Sequence, residues 1–240
     1  ESVKGYQKAD LAMMSIENTT FGSLMSNYKL LYKNEVKIIG EVSLRIKQNL
    51  MCLNGVRIND LREVYSHPIA IAQCEQFFQK YPHIKLVESI DTALAAKHIR
   101  EKQMPNIGAI ASYRAAEIYE LDILAESIET NKKNYTRFLA LTDHQDESFT
   151  LEHGKVSLCF IASHEIGSLY KVLQVLAENE ANLTKIQSVP ILETDYEYMF
   201  FIDFIMGKDK TLLEYLHHMQ AYVSEVKVLG NYKKGIHYDH

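Results

Sequence analysis

A hydroxyl and a permanent cation stand side by side at Thr136 and Arg137, just before the apolar run Phe138–Leu141. A guanidinium binds a carboxylate through two parallel hydrogen bonds, and a hydroxyl both donates and accepts. Taken alone, such a pair is more often the surface start of a strand with an ion pair. With Asn134 two residues earlier, the segment suits the binding of a small anion that carries hydroxyl groups.

Three further polar segments end an apolar strand or begin a helix: SIENTTFGS, SHP and IAS. Singly, each is explained by helix capping, which Ser and Thr side chains commonly provide. Together they supply hydroxyls, amides and one imidazole, and backbone amides near Gly22–Ser23 favour an anion. Glu17 would repel an anionic substrate, so we expect it to orient its neighbours. Strand ends converge in α/β folds, and we therefore expect all four segments to face one cleft.

Strand-like and helix-like runs alternate through residues 1–142. A buried strand is predicted at Ala9–Ile16, a polar turn at IENTTFGS and a helix at SLMSNYKLLYK, and the series closes with the strand RFLALT. This alternation predicts a parallel or mixed α/β sheet. Residues 143–154 are polar without a clear period and are predicted to be a linker.

Residues 155–232 follow a different pattern. Strand, helix, strand, strand, helix and strand succeed one another, and Pro190 ends the second strand or places it at a sheet edge. The β-α-β-β-α-β order is that of the split ferredoxin-like unit. Residues 233–240 are predicted to form a tail.

The composition is that of a globular protein, with 47% hydrophobic and 24% charged residues among 240. The net charge of -5 favours neither nucleic acid nor an anionic membrane as partner, and no apolar run is long enough to cross a bilayer. Cys52, Cys74 and Cys159 are predicted to be buried, reduced thiols of a cytoplasmic protein. Phosphate-loop, dinucleotide and H-E-x-x-H motifs are absent, so we expect no cofactor and no metal.

The polar segments resemble the motifs of the prephenate dehydratase family that carries a C-terminal ACT regulatory domain. NYTRF is similar to N-x-T-R-F, SIENTTFGS to P-I-E-N-S-x-x-G-S, SHPIAIAQC to S-H-P-Q-A-L-x-Q-C, and IGAIASYRAAEIYEL to A-A-I-A-S-x-x-A-A-x-x-Y-x-L. IGSLYKVL resembles the G-A-L motif and NLTKIQSVP resembles N-L-T-K-I-E-S-R-P. The resemblance implies a two-lobed, periplasmic-binding-protein-like catalytic domain at 1–142 and a ferredoxin-like ACT domain at 155–232.

The implied reaction removes the ring hydroxyl of prephenate as water and one carboxylate as CO2, giving phenylpyruvate for L-phenylalanine biosynthesis. Aromatisation drives it, so the protein supplies orientation and a proton rather than a cofactor. The resemblance implies Thr136 as the proton donor, in a cleft between two lobes. The implied substrate-binding residues are Asn18, Thr19, Ser23, Ser66, His67, Asn134, Arg137 and Phe138.

The second-part motifs imply feedback by L-phenylalanine and assembly as a homodimer or homotetramer through the ACT and catalytic domains. The implied effector-binding residues are Gly167, Ser168, Leu169, Asn182, Leu183, Gln187 and Ser188. Gln187 and Val189 replace the Glu and Arg of E-S-R-P, which would weaken or change feedback. A domain that serves only dimerisation is the alternative.

Two further departures and two alternative functions stand beside this interpretation. Ile69 stands where the family has Gln. The family's first strand and Gly-rich segment, expected about 40–50 residues before the strand at Ala9–Ile16, are absent from the sequence. Arogenate dehydratases share the motifs, so the substrate's side chain, amino or keto, is left open. A non-catalytic amino-acid or keto-acid sensor of the same fold is the other alternative, against which the presence of Thr136 and Arg137 argues.

Overall fold

The computed structural model describes residues 10–144, 154–163, 165–191 and 198–239. The chain divides into two compact units: unit 1 combines residues 1–44 with 136–240, and unit 2 is residues 45–135. These units cut across the predicted domains, because unit 1 holds the ferredoxin-like stretch together with the first and last strands of the predicted catalytic domain. Residues 145–153 of the predicted linker lie outside the described residues.

One sheet of unit 1 draws its strands from distant parts of the chain. They are β1 (Ala12–Asn18), β2 (Gly22–Ser23), β3 (Lys37–Arg45), β9 (Tyr135–Thr142) and β14 (Ile236–Tyr238), in the order β14-β3-β9-β1-β2. Helix α1 (Met25–Lys33) follows β2. β1 continues two residues beyond its predicted end at Ile16, because Glu17 and Asn18 still pair with β9. Part of the predicted tail is strand, because β14 pairs in parallel with β3.

The second sheet of unit 1 has the predicted β-α-β-β-α-β order. Its elements are β10 (Lys155–Ala162), α5 (Ser168–Glu178), β11 (Asn182–Pro190), β12 (Tyr198–Ile205), α6 (Leu212–Met219) and β13 (Val223–Tyr232). The antiparallel order is β11-β12-β10-β13, so Pro190 ends an edge strand, as predicted. Helices α5 and α6 pack on one face around Phe160, Phe204 and Tyr215.

The other face of this sheet packs against the first sheet of unit 1 and helix α1. Their shared core contains Ile16 and Leu139 from the first sheet and Phe201 from the second. The ring of Tyr28 on α1 meets that of Phe201 edge-on, with centroids 5.0 Å apart. Lys227 Nζ donates to the carbonyl oxygen of Tyr32 at 2.7 Å, capping the end of α1 from β13.

Unit 2 is a mixed five-stranded sheet covered by helices on both faces. Its strands are β4 (Asn49–Cys52), β5 (Glu63–Ser66), β6 (Lys85–Glu88), β7 (Ile107–Ala111) and β8 (Asp122–Ala125), in the order β6-β5-β7-β4-β8. Its helices are α2 (Pro68–Phe78), α3 (Thr92–Lys102) and α4 (Tyr113–Tyr119), with a short 3₁₀ helix at Ile58–Asp60. β5, β6 and β7 are parallel, and β4 is antiparallel to β7 and β8, which confirms the mixed α/β prediction.

The helices of unit 2 bury small and apolar side chains against this sheet. Ala70, Cys74 and Phe78 of α2 pack on one face, and Ala95 and Ala115 of α3 and α4 pack on the other. Burial on both faces explains why β7, and β4 after Asn49, are apolar without alternating. Cys52, Cys74 and Cys159 are free and buried, which confirms the prediction of buried thiols outside disulfides.

Candidate active site

Thr136 and Asn18 face each other across the β1–β9 ladder. Asn18 Nδ2 donates to Thr136 Oγ1 at 3.0 Å. Asn18 Oδ1 accepts from the backbone N–H groups of Thr20 at 2.8 Å and Phe21 at 3.1 Å. Because the amide oxygen is held by these two bonds, the amide nitrogen is the atom that faces the Thr136 hydroxyl. Because Thr136 Oγ1 accepts this bond, its own proton is directed to another acceptor. An oxygen that accepts a hydrogen bond also carries developing negative charge better, so the pair is suited to proton donation.

A one-residue irregularity in this ladder decides which side chain meets Thr136. The pairs around it are Ser15 with Phe138, Glu17 with Arg137 and Asn18 with Thr136. An uninterrupted ladder would place Glu17, not Asn18, opposite Thr136. A carboxylate there would accept the hydroxyl's proton in a hydrogen bond and repel an anionic substrate. The extra residue, Ile16, therefore gives Thr136 an amide neighbour, and bulges commonly re-aim side chains in this way beside active sites.

Arg137 lies on the opposite face of β9 from Thr136, because successive side chains of a strand alternate. Arg137, Leu139 and Leu141 are buried, whereas Thr136 and Phe138 are half-buried. The sequence prediction placed Thr136 and Arg137 in one pocket. The structure does not bring them to one face, and it directs the Arg137 guanidinium towards the ferredoxin-like sheet.

The guanidinium of Arg137 is fully engaged there, and the residue is 9% exposed. Nε donates to Glu41 Oε2 at 2.6 Å. Nη1 lies 2.5 Å from Asp203 Oδ2 and 3.2 Å from Glu17 Oε1, and Nη2 donates to the Tyr232 hydroxyl at 3.2 Å. A substrate carboxylate would reach this group only by displacing one of these carboxylates.

Two lysines complete a charge-balanced cluster around Arg137. Lys155 Nζ lies 2.7 Å from both carboxylate oxygens of Glu41. Lys185 Nζ donates to Glu17, and to Ser23 Oγ at 2.7 Å. Three cations thus face three carboxylates, and partly or fully buried charges are tolerated when they are paired in this way.

The charges of the cluster change the pKa values of Glu17, Glu41 and Arg137. Burial alone would raise the pKa of Glu17, but Lys185 and Arg137 outweigh it and bring that pKa below its ordinary value. Burial likewise opposes ionisation of Glu41, and Arg137 and Lys155 lower its pKa. Burial acts to lower the pKa of Arg137, but the surrounding carboxylates raise it above its ordinary value. All three side chains are therefore charged at neutral pH.

Sequence reasoning missed most of this cluster. The members absent from the predicted site are Glu41, Lys155, Ser157, Lys185, Asp203 and Tyr232. One signal was present: Asp203 interrupts the apolar run MFFIDFIM, and a charged residue is rarely buried without a partner.

Unit 2 contains three of the predicted substrate-binding residues. Ser66 is fully buried, and its Oγ donates to the Ile110 carbonyl at 2.7 Å, tying β5 to β7. His67 is the N-cap of α2, where Nδ1 accepts from the Ile69 N–H at 3.2 Å. Asn134 is 1% exposed, and its backbone carbonyl accepts from the N–H of Ile46 at 2.8 Å. The capping explanation thus applies to His67, and its role in substrate binding stays a prediction.

The remaining predicted residues lie in unit 1. Thr19 is exposed at the end of β1. Gly167 begins α5 with a left-handed backbone (φ 80°), Ser168 is buried, and Leu169 packs towards the core under α5 and α6. On the edge strand β11, the other predicted effector residues alternate between exposed and half-buried: Asn182, Leu183, Gln187 and Ser188.

Within the described part of the chain, no group of three or more His, Cys, Asp or Glu side chains is arranged to hold a metal ion. Among the same residues, no helix is both long and apolar enough to cross a membrane.

Comparison with known proteins identifies close relatives. The family model described as "Prephenate dehydratase" matches residues 3–146, more than half of the chain. "Arogenate dehydratase 2" of Petunia hybrida is 37% identical over 239 residues, covering 93% of this chain. The chain spans about 60% of the length of that curated relative.

Two solved structures share the fold. Prephenate dehydratase from Arthrobacter aurescens in complex with L-Phe has a TM-score of 0.83 and 26% identity, covering 95% of this chain and 76% of that one. A structure described as a novel type of quorum quenching acylase has a TM-score of 0.83 and 28% identity, covering 95% of this chain and 83% of that one. On the match of the family model, the chain belongs to the prephenate dehydratase family.

Proposed function

We propose that the protein carrying this chain is a prephenate dehydratase, which converts prephenate into phenylpyruvate, water and CO2. The observation that carries the proposal is the Thr136–Asn18 pair. Its hydroxyl oxygen accepts from an amide at 3.0 Å, which leaves the proton for another acceptor. Membership of the family supports the same reaction.

In the proposed reaction, Thr136 gives its proton to the ring hydroxyl of prephenate as the C–O bond breaks. The ring carboxylate leaves as CO2, and the electrons of its C–C bond complete the aromatic ring. The threonine oxygen then takes a proton from solvent. Asn18 Nδ2 stabilises that oxygen while it is deprotonated. A threonine hydroxyl is a weak acid, so the formation of the aromatic ring has to supply the driving force.

The structure suggests a different role for Arg137 from the predicted binding of a substrate carboxylate. Its guanidinium is held on the face of β9 away from Thr136 by Glu41 and Asp203. We propose that Arg137 instead holds β9 to β3 and β12 through these two carboxylates. Asn18, Thr19, Ser23, Ser66, His67, Asn134 and Phe138 stay predicted substrate contacts.

A pair of variants at Thr136 tests the proposed function. Thr136→Val keeps the shape and removes the hydroxyl, and we expect kcat to fall by about 10²–10⁴-fold, the usual value of a positioned proton donor. Thr136→Ser keeps the hydroxyl and serves as the matched control, with most of the activity retained. Phenylpyruvate formation is followed by ultraviolet absorbance. Wild-type turnover in the Val variant, or none in the wild type, contradicts the proposal.

Arogenate is the second candidate substrate, favoured by the 37% identity to a relative named arogenate dehydratase. It carries an amino group where prephenate has a keto group, and the reacting ring is the same. Comparison of kcat/KM for the two substrates decides between them. A preference for arogenate would keep the mechanism and change the substrate.

Feedback by L-phenylalanine is proposed for the ferredoxin-like part as an ACT domain. Support comes from the solved relative in complex with L-Phe, which is 26% identical. Gln187 is half-buried on β11, and its Nε2 donates to the Ser188 carbonyl at 2.9 Å. Calorimetric titration tests the site, and the absence of heat up to millimolar L-phenylalanine rejects it. Assembly as a homodimer or homotetramer and cytoplasmic localisation also stay proposals.

A further inference from the structure

Two charged side chains of the ferredoxin-like sheet contact the strands that carry the proposed catalytic pair. Asp203 of β12 lies 2.5 Å from the guanidinium of Arg137 on β9. Lys185 of β11 donates to Glu17 on β1. Glu17 and Arg137 are themselves a register pair, next along the ladder to Asn18 and Thr136. The two contacts therefore act one residue away from the proposed proton donor and its amide partner.

The contact between Asp203 and Arg137 is buried. Arg137 is 9% and Asp203 is 8% exposed, so neither charge can turn to water without losing its partner. Asp203 also accepts a hydrogen bond from Ser157, whose oxygen lies 2.7 Å from the Tyr232 hydroxyl. Separating a buried ion pair leaves each charge without compensation, which is strongly destabilising. The positions of Asp203 and Arg137 relative to each other are therefore strongly determined.

The contacts also lie beside the irregularity of the β1–β9 ladder. The register between β1 and β9 is irregular at Ile16, between Ser15 and Glu17. A bulge interrupts regular ladder hydrogen bonds, so side-chain contacts beside it have more influence on strand position than elsewhere. A small slip there would change the distance between Asn18 Nδ2 and Thr136 Oγ1.

We propose that Asp203 and Lys185 are positioning residues of the dehydratase site: through Arg137 and Glu17 they fix the β1–β9 register that holds Thr136 against Asn18. The inference rests on the proposed function for its kinetic part. It makes the ferredoxin-like sheet a direct support of the catalytic strands, whether or not that sheet binds an effector.

The test compares Asp203→Asn and Lys185→Met with Lys227→Met as the matched control. Lys227 also joins the ferredoxin-like sheet to the rest of unit 1, but its hydrogen bonds go to the carbonyls at the end of α1 rather than to β1 or β9. We expect kcat for prephenate to fall about 10- to 100-fold in the first two variants with KM little changed, as a misplaced catalytic group predicts. The control should keep its kcat. Either test variant suffices if the other does not fold.

Hydrogen exchange of the peptides covering residues 12–18 and 135–142 gives a readout that needs no activity. Exchange should accelerate in both test variants and not in the control. Unchanged exchange in the test variants overturns the proposal, and so does faster exchange with an unchanged kcat. A lower KM with an unchanged kcat in Asp203→Asn also overturns it, because Arg137 would then be a substrate ligand that Asp203 restrains. Absence of wild-type turnover rejects the proposed function alone, and the exchange comparison still decides whether the contacts hold the strands.

Discussion

Thr136 stays the predicted proton donor, whereas the side chains that bind its neighbour Arg137 were not predictable from the sequence. Thr136 and Arg137 are adjacent, and adjacency suggested one pocket. Strand geometry separates them: Thr136 meets Asn18, while Arg137 meets Asp203 on the opposite face. Alternation along a strand is a general rule. The sequence does not show which face of β9 is buried or which carboxylate lies against it. Both depend on how the segment of Asp203, more than 60 residues away, folds against this strand.

His67 has two possible roles that a single residue change can separate. Its Nδ1 accepts from the Ile69 N–H, so the neutral ring carries its proton on Nε2. Asn is a good N-cap without an imidazole, so His67→Asn should be as stable as the wild type, while His67→Ala should lose about 0.5–2 kcal/mol. Urea unfolding measures both.

Kinetics of the same variant then decide the second role. If His67 also contacts the substrate, His67→Asn raises KM for prephenate although its stability is unchanged. An unchanged KM leaves His67 as a helix cap only, and instability of the Asn variant equal to that of the Ala variant would reject the capping role.

At the scale of elements, most helices and strands were predictable because their apolar periods are clear. Two short strands were not. β5 has four residues, and β14 has three and lies in the predicted tail. Such short strands form because a neighbouring strand offers backbone hydrogen-bonding groups. A run of three or four residues is too short to show the alternating pattern by which a strand is recognised in a sequence. The bulge at Ile16 has the same origin, since register is a property of two strands.

Two glycines test how closely the sheets of unit 1 approach each other. A Cβ on Gly230 of β13 would lie 2.2 Å from the Ile38 carbonyl oxygen of β3, whereas a Cβ on Gly40 would meet nothing within 4 Å. Gly230→Ala forces backbone atoms apart and should cost about 1–3 kcal/mol of unfolding free energy. Gly40→Ala, on β3 itself, is the control and should be neutral or slightly stabilising. Equal effects in urea unfolding would contradict the close approach.

At the scale of the whole molecule, the sequence predicted the β-α-β-β-α-β order but not the grouping of the chain into compact units. Unit 1 is held by charges that lie far apart in the sequence, including Glu17, Glu41, Arg137, Lys155 and Asp203. Glu17, Glu41, Arg137 and Lys155 are ordinary charged residues in their local segments. The feature that the whole cluster shares, burial among one another, exists only after folding, and the sequence pattern indicates it only at Asp203, which interrupts an apolar run.

The cluster predicts how stability depends on pH. The pKa values of Glu17 and Glu41 are lower in the folded protein than in the unfolded chain, where a glutamate titrates near about 4.3. The stabilisation is therefore fully present above that value and is lost as the pH falls through the lower, folded pKa values. Unfolding free energy from urea titrations should be steady around pH 6 and fall steeply towards about pH 3.

Glu41→Gln isolates the contribution of one carboxylate. It removes one carboxylate partner of Arg137 and the carboxylate that Lys155 binds, so the variant should lose as much as about 3–5 kcal/mol near pH 6, the usual cost of breaking a buried pair. Because the Gln side chain does not titrate, its stability should fall less steeply on acidification, and the two curves should converge towards about pH 3. Glu88→Gln, at an exposed glutamate, controls for the change in net charge. Parallel curves for Glu41→Gln and the wild type would mean that Glu41 titrates alike in the folded and unfolded states, and that the cluster does not hold it ionised.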